Sequence, residues 1–344
     1  MSPFLPRIGW LVPNVKTNDH QELYDTEMAS SRLRAGVCIK GCERSGMLVY
    51  PLNFREASHD PHLVFMAKFV PDSNTGQYLD DGGTRAGIWL DKIQQIKAKG
   101  RILVVDYTDN HFTNPNIVGD FYRTIRPHID ALVVPSTRMA RHLEGNWTKP
   151  VEIIPEPVEV SMQPIRVYEG GEKTALWFGH NSNLPYLLDF MSKGMHEAPP
   201  SRLIIQTNYV VPQAAEALKA RTPKGTTLDI QKWTLPAMLE AARQSHYAII
   251  PSDVNDERKN GASPGRLLTS LAMGLPVVAT ALESYQPFAE FFAEIGTPRA
   301  KALMANPAGF TTNMEAAQAL IQARFTAEAI GAQWAAYARR LMDA

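Results

Sequence analysis

Short, near-continuous apolar runs recur along this chain, separated by longer polar or amphipathic stretches. In the first half they fall at 7–12, 46–52, 62–69, 101–106, 131–135 and 151–155. Each has the length of a β-strand, and several do not alternate polar with apolar residues. Strands read this way when both faces of their sheet are covered, as in parallel sheets flanked by helices. The segments between carry helical spacing. Trp89, Ile93 and Ile96 lie three and four apart, and Gly100 follows Lys97 and Lys99 as a stop signal. The β-α-β rhythm predicts an α/β fold with a doubly wound parallel sheet.

The rhythm restarts in the second half. Strands are expected at 174–178, 202–207, 227–231, 247–250 and 276–280, and helices at 235–243, 263–273 and 313–324. Between the halves, residues 155–171 contain Pro155, Pro157, Pro164, Gly170 and Gly171, a composition suited to a linker. The chain therefore reads as two Rossmann-like domains, 1–160 and 161–325, a division its 344 residues readily support. A last amphipathic helix, 326–344, carries Trp334, Tyr337 and Leu341 on one side and could pack back on the N-terminal domain. In open α/β sheets ligands bind beyond the carboxyl ends of the strands, so the residues just after each strand matter most.

Composition narrows the function. With 44% hydrophobic and 20% charged residues the chain is an ordinary globular one, not a disordered one. A formal net charge of zero gives no chain-wide grip on nucleic acid. The two cysteines, Cys38 and Cys42, exclude a disulfide framework and read as small buried thiols on one helix face. Pro6, Arg7 and Pro13 interrupt the start of the chain where a secretory signal would need an unbroken apolar run. The stretch 271–282 is too short to span a bilayer. The expectation is a cytoplasmic protein in a reducing setting. Glycine fingerprints of dinucleotide enzymes and P-loops and the paired histidines of zincins are absent.

The most informative segment is Asn260-Gly-Ala-Ser-Pro-Gly-Arg-Leu-Leu-Thr-Ser-Leu-Ala-Met-Gly-Leu-Pro-Val-Val-Ala-Thr280. Ser263 suits an N-cap and Pro264 the first helical position, with Gly265 and Arg266 in the first turn. Leu267, Leu268 and Leu271 form a buried face, and Gly274 and Pro276 end the helix before a strand. The front of that helix offers unpaired N–H groups, the positive end of the dipole, Arg266 and, just upstream, Lys259. This is a ready anion site; locally it is equally a capped helix with a solvated arginine.

The stretch from Arg266 to Thr280 resembles the donor-binding signature of GT-B-fold glycosyltransferases. Ala131-Leu-Val-Val-Pro-Ser-Thr137 and Val151-Glu-Ile-Ile-Pro-Glu-Pro-Val158 resemble the end of that fold's N-terminal domain. Thr174-Ala-Leu-Trp-Phe-Gly-His-Asn-Ser-Asn-Leu184 resembles the first strand and glycine turn of its C-terminal domain, and Ala29-Ser-Ser-Arg-Leu-Arg34 its first helix. The likeness is collinear over most of the chain. It implies two domains facing a central cleft, a nucleoside-diphosphate sugar bound mainly by the C-terminal domain, an acceptor on the N-terminal domain, and catalysis without a metal or resident cofactor. Ser263, Gly265, Arg266 and Lys259 would face the diphosphate. The retaining branch places two glutamates around this helix start, and here those positions are Gly261 and Thr269. Thr269 is a poor substitute for a ribose-binding carboxylate; Glu283 or Asp253 could take that role.

Other candidates follow the strands. Gly179, His180 and Asn183 form a turn that would touch the donor, although Asn183 equally suits a helix cap. Lys232 and Trp233 end a strand that borders the nucleobase in the family; Trp233 equally suits the core. On the acceptor side Asp106, Asp109 and His111 cluster past a strand and could supply a general base, or simply satisfy their own turn. Asp19 and His20 compete for the base role. Arg32 is expected at the cleft, with Arg34 as its neighbour. The reading is a glycosyltransferase that moves a hexose or deoxyhexose to a saccharide or lipid-linked acceptor, as in surface polysaccharide assembly, with room for peripheral membrane contact and none for nucleic acid. The alternatives are a sugar-nucleotide epimerase of the same architecture and a non-catalytic binding protein.

Overall fold

The computed structural model describes residues 5–12, 29–52, 60–69, 85–256 and 261–343. Lys259, Asp19 and His20 lie outside the described residues. The chain forms two compact units, one of Met1–Pro157, Gly261–Ser263 and Thr326–Ala344, the other of Val158–Asn260 and Pro264–Phe325.

The first unit holds strands β1 (Arg7–Leu11), β2 (Leu48–Leu52), β3 (Leu63–Met66), β4 (Ile102–Asp106), β5 (Ala131–Val134) and β6 (Val151–Ile153). Among the described residues they make one six-stranded sheet in the order β2-β1-β3-β4-β5-β6. Every pairing is parallel, with registers such as Ile8↔Val49 and Val104↔Ala131. The strands' side chains divide between two apolar clusters, one per face. Ile8, Trp10, Phe65, Val104 and Val133 lie in one, and Leu11, Val64, Met66, Val105 and Val134 in the other. A period of two with both faces covered accounts for the unbroken apolar runs.

The first face is covered by α1 (Val37–Arg44), which continues a π-helical turn Ser31–Gly36, and by the last helix of the chain, Ala327–Asp343. Trp334 of that helix packs edge-on against Trp10 and Phe65, with ring centroids 5.6 and 5.2 Å apart. A Cβ built on Gly41 would lie 2.1 Å from the Gly331 carbonyl oxygen, so the two helices cross backbone to backbone. Cys38 and Cys42 are buried free thiols on α1. The second face carries α2 (Arg85–Ala98), α3 (Ile117–Ile125) and α4 (Thr137–Leu143).

The second unit holds β7 (Thr174–Phe178), β8 (Arg202–Thr207), β9 (Thr227–Lys232), β10 (Tyr247–Ile250), β11 (Val277–Ala279) and β12 (Phe292–Glu294). Its sheet is also six-stranded and parallel among the described residues, in the order β12-β11-β10-β7-β8-β9. Helices α5 (Leu184–Lys193), α6 (Pro212–Arg221) and α9 (Pro298–Ala305) pack on one face. Helices α7 (Leu235–Arg243), α8 (Gly265–Ala272) and α10 (Met314–Arg324) pack on the other, and the final helix is α11. The strand order reverses around β7, which makes the carboxyl ends of β7 and β10 the switch point where a doubly wound sheet binds ligands.

Two expectations change. Residues 158–166 are not a free tether. Val158 and Val160 lie in the second unit's core, and the Gln163 and Arg166 amides donate to Ala272 and Gly274, each at 2.8 Å. Proline content reads as a linker, but these backbone bonds make the segment a strap along the end of α8. Strand β12, helix α6 and helix α9 also went unpredicted. β12 has three residues, and α6 contributes only Leu218 to the buried set, so neither has a strong periodic signal.

Candidate functional site

In the second unit, β7 ends at Gly179, whose amide donates to the Gln206 carbonyl at 3.1 Å. A Cβ there would meet Arg266 Nη1 at 3.3 Å and Asn183 Nδ2 at 3.5 Å, so glycine lets all three groups converge past the strand end. Arg266 Nη1, Asn183 Oδ1 and Gln206 Oε1 are buried with no hydrogen-bond partner among the described residues. A buried polar group left unpaired costs about 1–3 kcal/mol, and three of them beside the switch point make it the candidate place for a polar ligand. Asn208 adds a fourth group, its Oδ1 accepting from the Asn181 amide at 2.9 Å.

The helix start differs from expectation in one residue. Pro264, not Ser263, occupies the N-cap of α8, and no side chain caps it. Proline has no side-chain acceptor, so the first amides of α8, with Gly265 and Arg266 in the first turn, keep their donor capacity. Ser263 instead belongs to the first unit, where its hydroxyl lies against Glu156. Gly274 ends the helical segment at φ +75°, as expected.

The remaining donor candidates are spread around this end of the sheet. His180 is exposed and caps the turn Asn181–Asn183 by accepting from the Ser182 amide at 3.2 Å. Asn183 sits at the N-cap of α5 but makes no side-chain cap bond, which leaves its carbonyl oxygen available. Lys232 is exposed at the end of β9. Trp233 is half-buried against the core, and its indole N–H points at Met238 Sδ, 3.4 Å away. Thr269 is 7% exposed within α8. Asp253 is exposed and accepts from the Asn255 amide, and Glu283 is half-buried at the start of a 3-10 turn.

In the first unit the carboxyl ends of β3, β4 and β6 bring a second polar group together. Asp106 and Arg34 are both fully buried and form a two-pronged ion pair, with Nε and Nη2 on Asp106 Oδ1 at 3.0 and 2.6 Å. Arg34 Nη1 donates to the Ile154 carbonyl at 2.5 Å, and the guanidinium lies 5.0 Å from the Trp334 ring. Burial opposes the Arg34 charge, but Asp106 and Glu156 hold it protonated. Arg32, the arginine expected at the site, is half-buried, and its neighbour Arg34 is the fully buried partner of Asp106.

Asp109 pairs with Lys68, which follows β3. His111 is 6% exposed, stacks flat on Tyr122 with centroids 4.5 Å apart, and leaves Nε2 without a hydrogen-bond partner among the described residues. Burial, reinforced by Lys68 and opposed by Asp109, pushes the imidazole down to about 4, so it is neutral at ordinary pH. Asp106, expected in an acceptor pocket, is thus the counter-ion of Arg34. Lys68, Glu156, Gln206 and Asn208 were missed. Glu156 does carry a signal, a lone charge between two prolines just past an apolar run. Gln206 and Asn208 likewise end or follow one. Among the described residues no group of three or more His, Cys, Asp or Glu could hold a metal ion. No helix of the described residues is long and apolar enough to cross a membrane.

No protein-family model and no curated protein matches the chain. Solved structures do. Sucrose-phosphate synthase from Thermosynechococcus elongatus matches at 12% identity over 98% of this chain and 99% of its own, with a TM-score of 0.62. HepE from Anabaena, in complex with UDP and glucose, matches at 12% identity over 98% and 100%, with a TM-score of 0.61. An alpha-glucosyltransferase in complex with UDP and a 13-mer DNA matches at 12% identity over 98% and 99%, with a TM-score of 0.60. The chain spans a little over half of two other matched chains, 57% in the GtfA/B complex and 55% in TarM. At these identities the likeness concerns architecture, and the chain has the GT-B fold with its two Rossmann-like domains.

Proposed function

We propose that this GT-B chain is a glycosyltransferase that uses a nucleoside-diphosphate sugar and passes the sugar to a hydroxyl acceptor, a saccharide or a lipid-linked one. The observation that carries the reading is the buried, unpaired Arg266 Nη1 beside Gly179 and Asn183, at the uncapped start of α8. That HepE and the alpha-glucosyltransferase were solved with UDP supports a uridine diphosphate as the first donor to try.

As the glycosidic bond of the donor breaks, its electron pair passes to the diphosphate, and negative charge grows there. A guanidinium and helix-start amides already in place stabilise that charge without reorganising, and they do so without a divalent ion. On the acceptor side the neutral His111 and the carboxylates of the first unit are hydrogen-bonding groups suited to a hydroxyl compound. Gly261 and Thr269, in place of the glutamates of the retaining branch, favour a second reading, a binding protein without turnover.

One screen separates the two. UDP-, GDP-, dTDP- and CMP-sugars are tested for thermal stabilisation, and each stabilising donor is then followed for released nucleoside diphosphate with EDTA present. Stabilisation and release support the transferase, and stabilisation alone supports the binder. Neither effect with any donor defeats both.

A further inference from the structure

The Pro-Glu-Pro segment after β6 runs between buried residues, Ile154 and Pro157, and is tied down at its start. Arg34 Nη1 ties down the Ile154 carbonyl at 2.5 Å, and Pro155 and Pro157 fix the backbone on either side of Glu156. Arg34 commits its remaining N–H groups to Asp106, and Lys68 is committed to Asp109. Of the three carboxylates gathered here, Glu156 is the one without its own salt bridge among the described residues. It is half-buried, so it is neither sealed in the core nor freely solvated. Two other polar atoms of the same unit share its condition. Ser263 Oγ, against the Glu156 carboxyl, and His111 Nε2 are both buried and make no well-formed hydrogen bond among the described residues. His111 is nine-tenths buried, with Nε2 3.9 Å from Asp109 Oδ2, and the Asp109 charge also acts on Glu156.

We infer that Glu156 is the acceptor-binding carboxylate, taking a hydrogen bond from an acceptor hydroxyl with Ser263 and His111 as its partners in recognition. This rests on the transferase reading and names the residue that selects the second substrate. A carboxylate in that role favours a neutral polyol and disfavours a phosphate or carboxylate at the same place, because like charges in a poorly solvated site repel strongly. The charged groups that act on Glu156 are Arg34, Asp106 and Asp109. Burial raises its pKa, Asp106 and Asp109 add to the rise, and Arg34 and Ser263 oppose it. The accepting form is therefore lost, as pH falls, earlier than for an ordinary glutamate.

The test uses the full chain, UDP-glucose as donor and a panel of p-nitrophenyl glycosides as acceptors, in wild type and Glu156→Gln. The amide keeps the size of the side chain but loses the charge. Expected is unchanged UDP binding in calorimetry. The acceptor KM should rise about tenfold or more, the scale of a lost charge-assisted hydrogen bond. In wild type the acceptor KM should worsen as pH falls through the raised carboxyl pKa, and in the variant that dependence should flatten. A merely structural role would alter melting temperature and UDP binding without changing the pH profile. If wild type binds UDP and transfers glucose while the variant keeps both its acceptor KM and its pH profile, the inference is overturned and the transferase reading stands. If wild type is stabilised by no sugar nucleotide of the donor screen and transfers to no acceptor, both fall.

Discussion

Asp106 shows how a residue can have the chemistry of a catalyst and the position of a structural one. From sequence it joins Asp109 and His111 in a polar cluster past a strand. In the fold it is wholly buried and answers the charge of Arg34, which arrives from the π-helical turn 72 positions earlier. No local pattern discloses such a pairing, because the contact is made by topology. Removing one partner of a buried ion pair strands the other, at roughly 3–5 kcal/mol. Asp106→Asn should therefore lower unfolding stability by about that much in urea denaturation. A loss under about 1 kcal/mol, within the range of exposed pairs, would show that the guanidinium is not dependent on this carboxylate.

At the scale of elements, most of the fold is legible because both sheets are covered on both faces. Strands such as Thr174–Phe178 and Arg202–Thr207 and the helix Leu235–Arg243 are bounded as the apolar runs and spacing predict. What the sequence hides are elements whose form depends on a neighbour. The strap at 158–166 looks like a tether until the carbonyls at the end of α8 bind it. The start of α8 moves past Ser263 to Pro264, which makes no side-chain cap bond. The crossing of α1 and α11 is equally invisible in local propensity, where Gly41 and Gly331 are simply poor helix formers. In the fold each makes room for the other. Gly41→Ala should gain helix propensity yet destabilise the chain, because the added methyl would lie 2.1 Å from the Gly331 oxygen. A melting-temperature drop equivalent to about 1–3 kcal/mol is expected. Gly309→Ala, with nothing within 4 Å of its Cβ, should be close to neutral. Equal melting temperatures for the two variants would contradict the close crossing.

For the molecule as a whole, the sequence resemblance and the two parallel sheets agree on the GT-B architecture, with the strand order of the second unit reversing around β7. The site was legible in part. Gly179, Asn183, Gly265 and Arg266 were picked out by their places after a strand and at a helix start, and Gly179, Asn183 and Arg266 do converge. Gln206, buried in one unit, and Glu156, half-buried in the other, depend on three-dimensional placement and were not. The central claim is that Arg266 stands ready to meet the charge of a diphosphate. The most direct test is isothermal titration of UDP into wild type and Arg266→Ala. Saturable binding to wild type is expected, weakened in the variant by about 1–3 kcal/mol, roughly five- to 150-fold in affinity. Equal affinity in the two proteins would contradict it, as would no binding of UDP or of any other nucleotide from the donor screen.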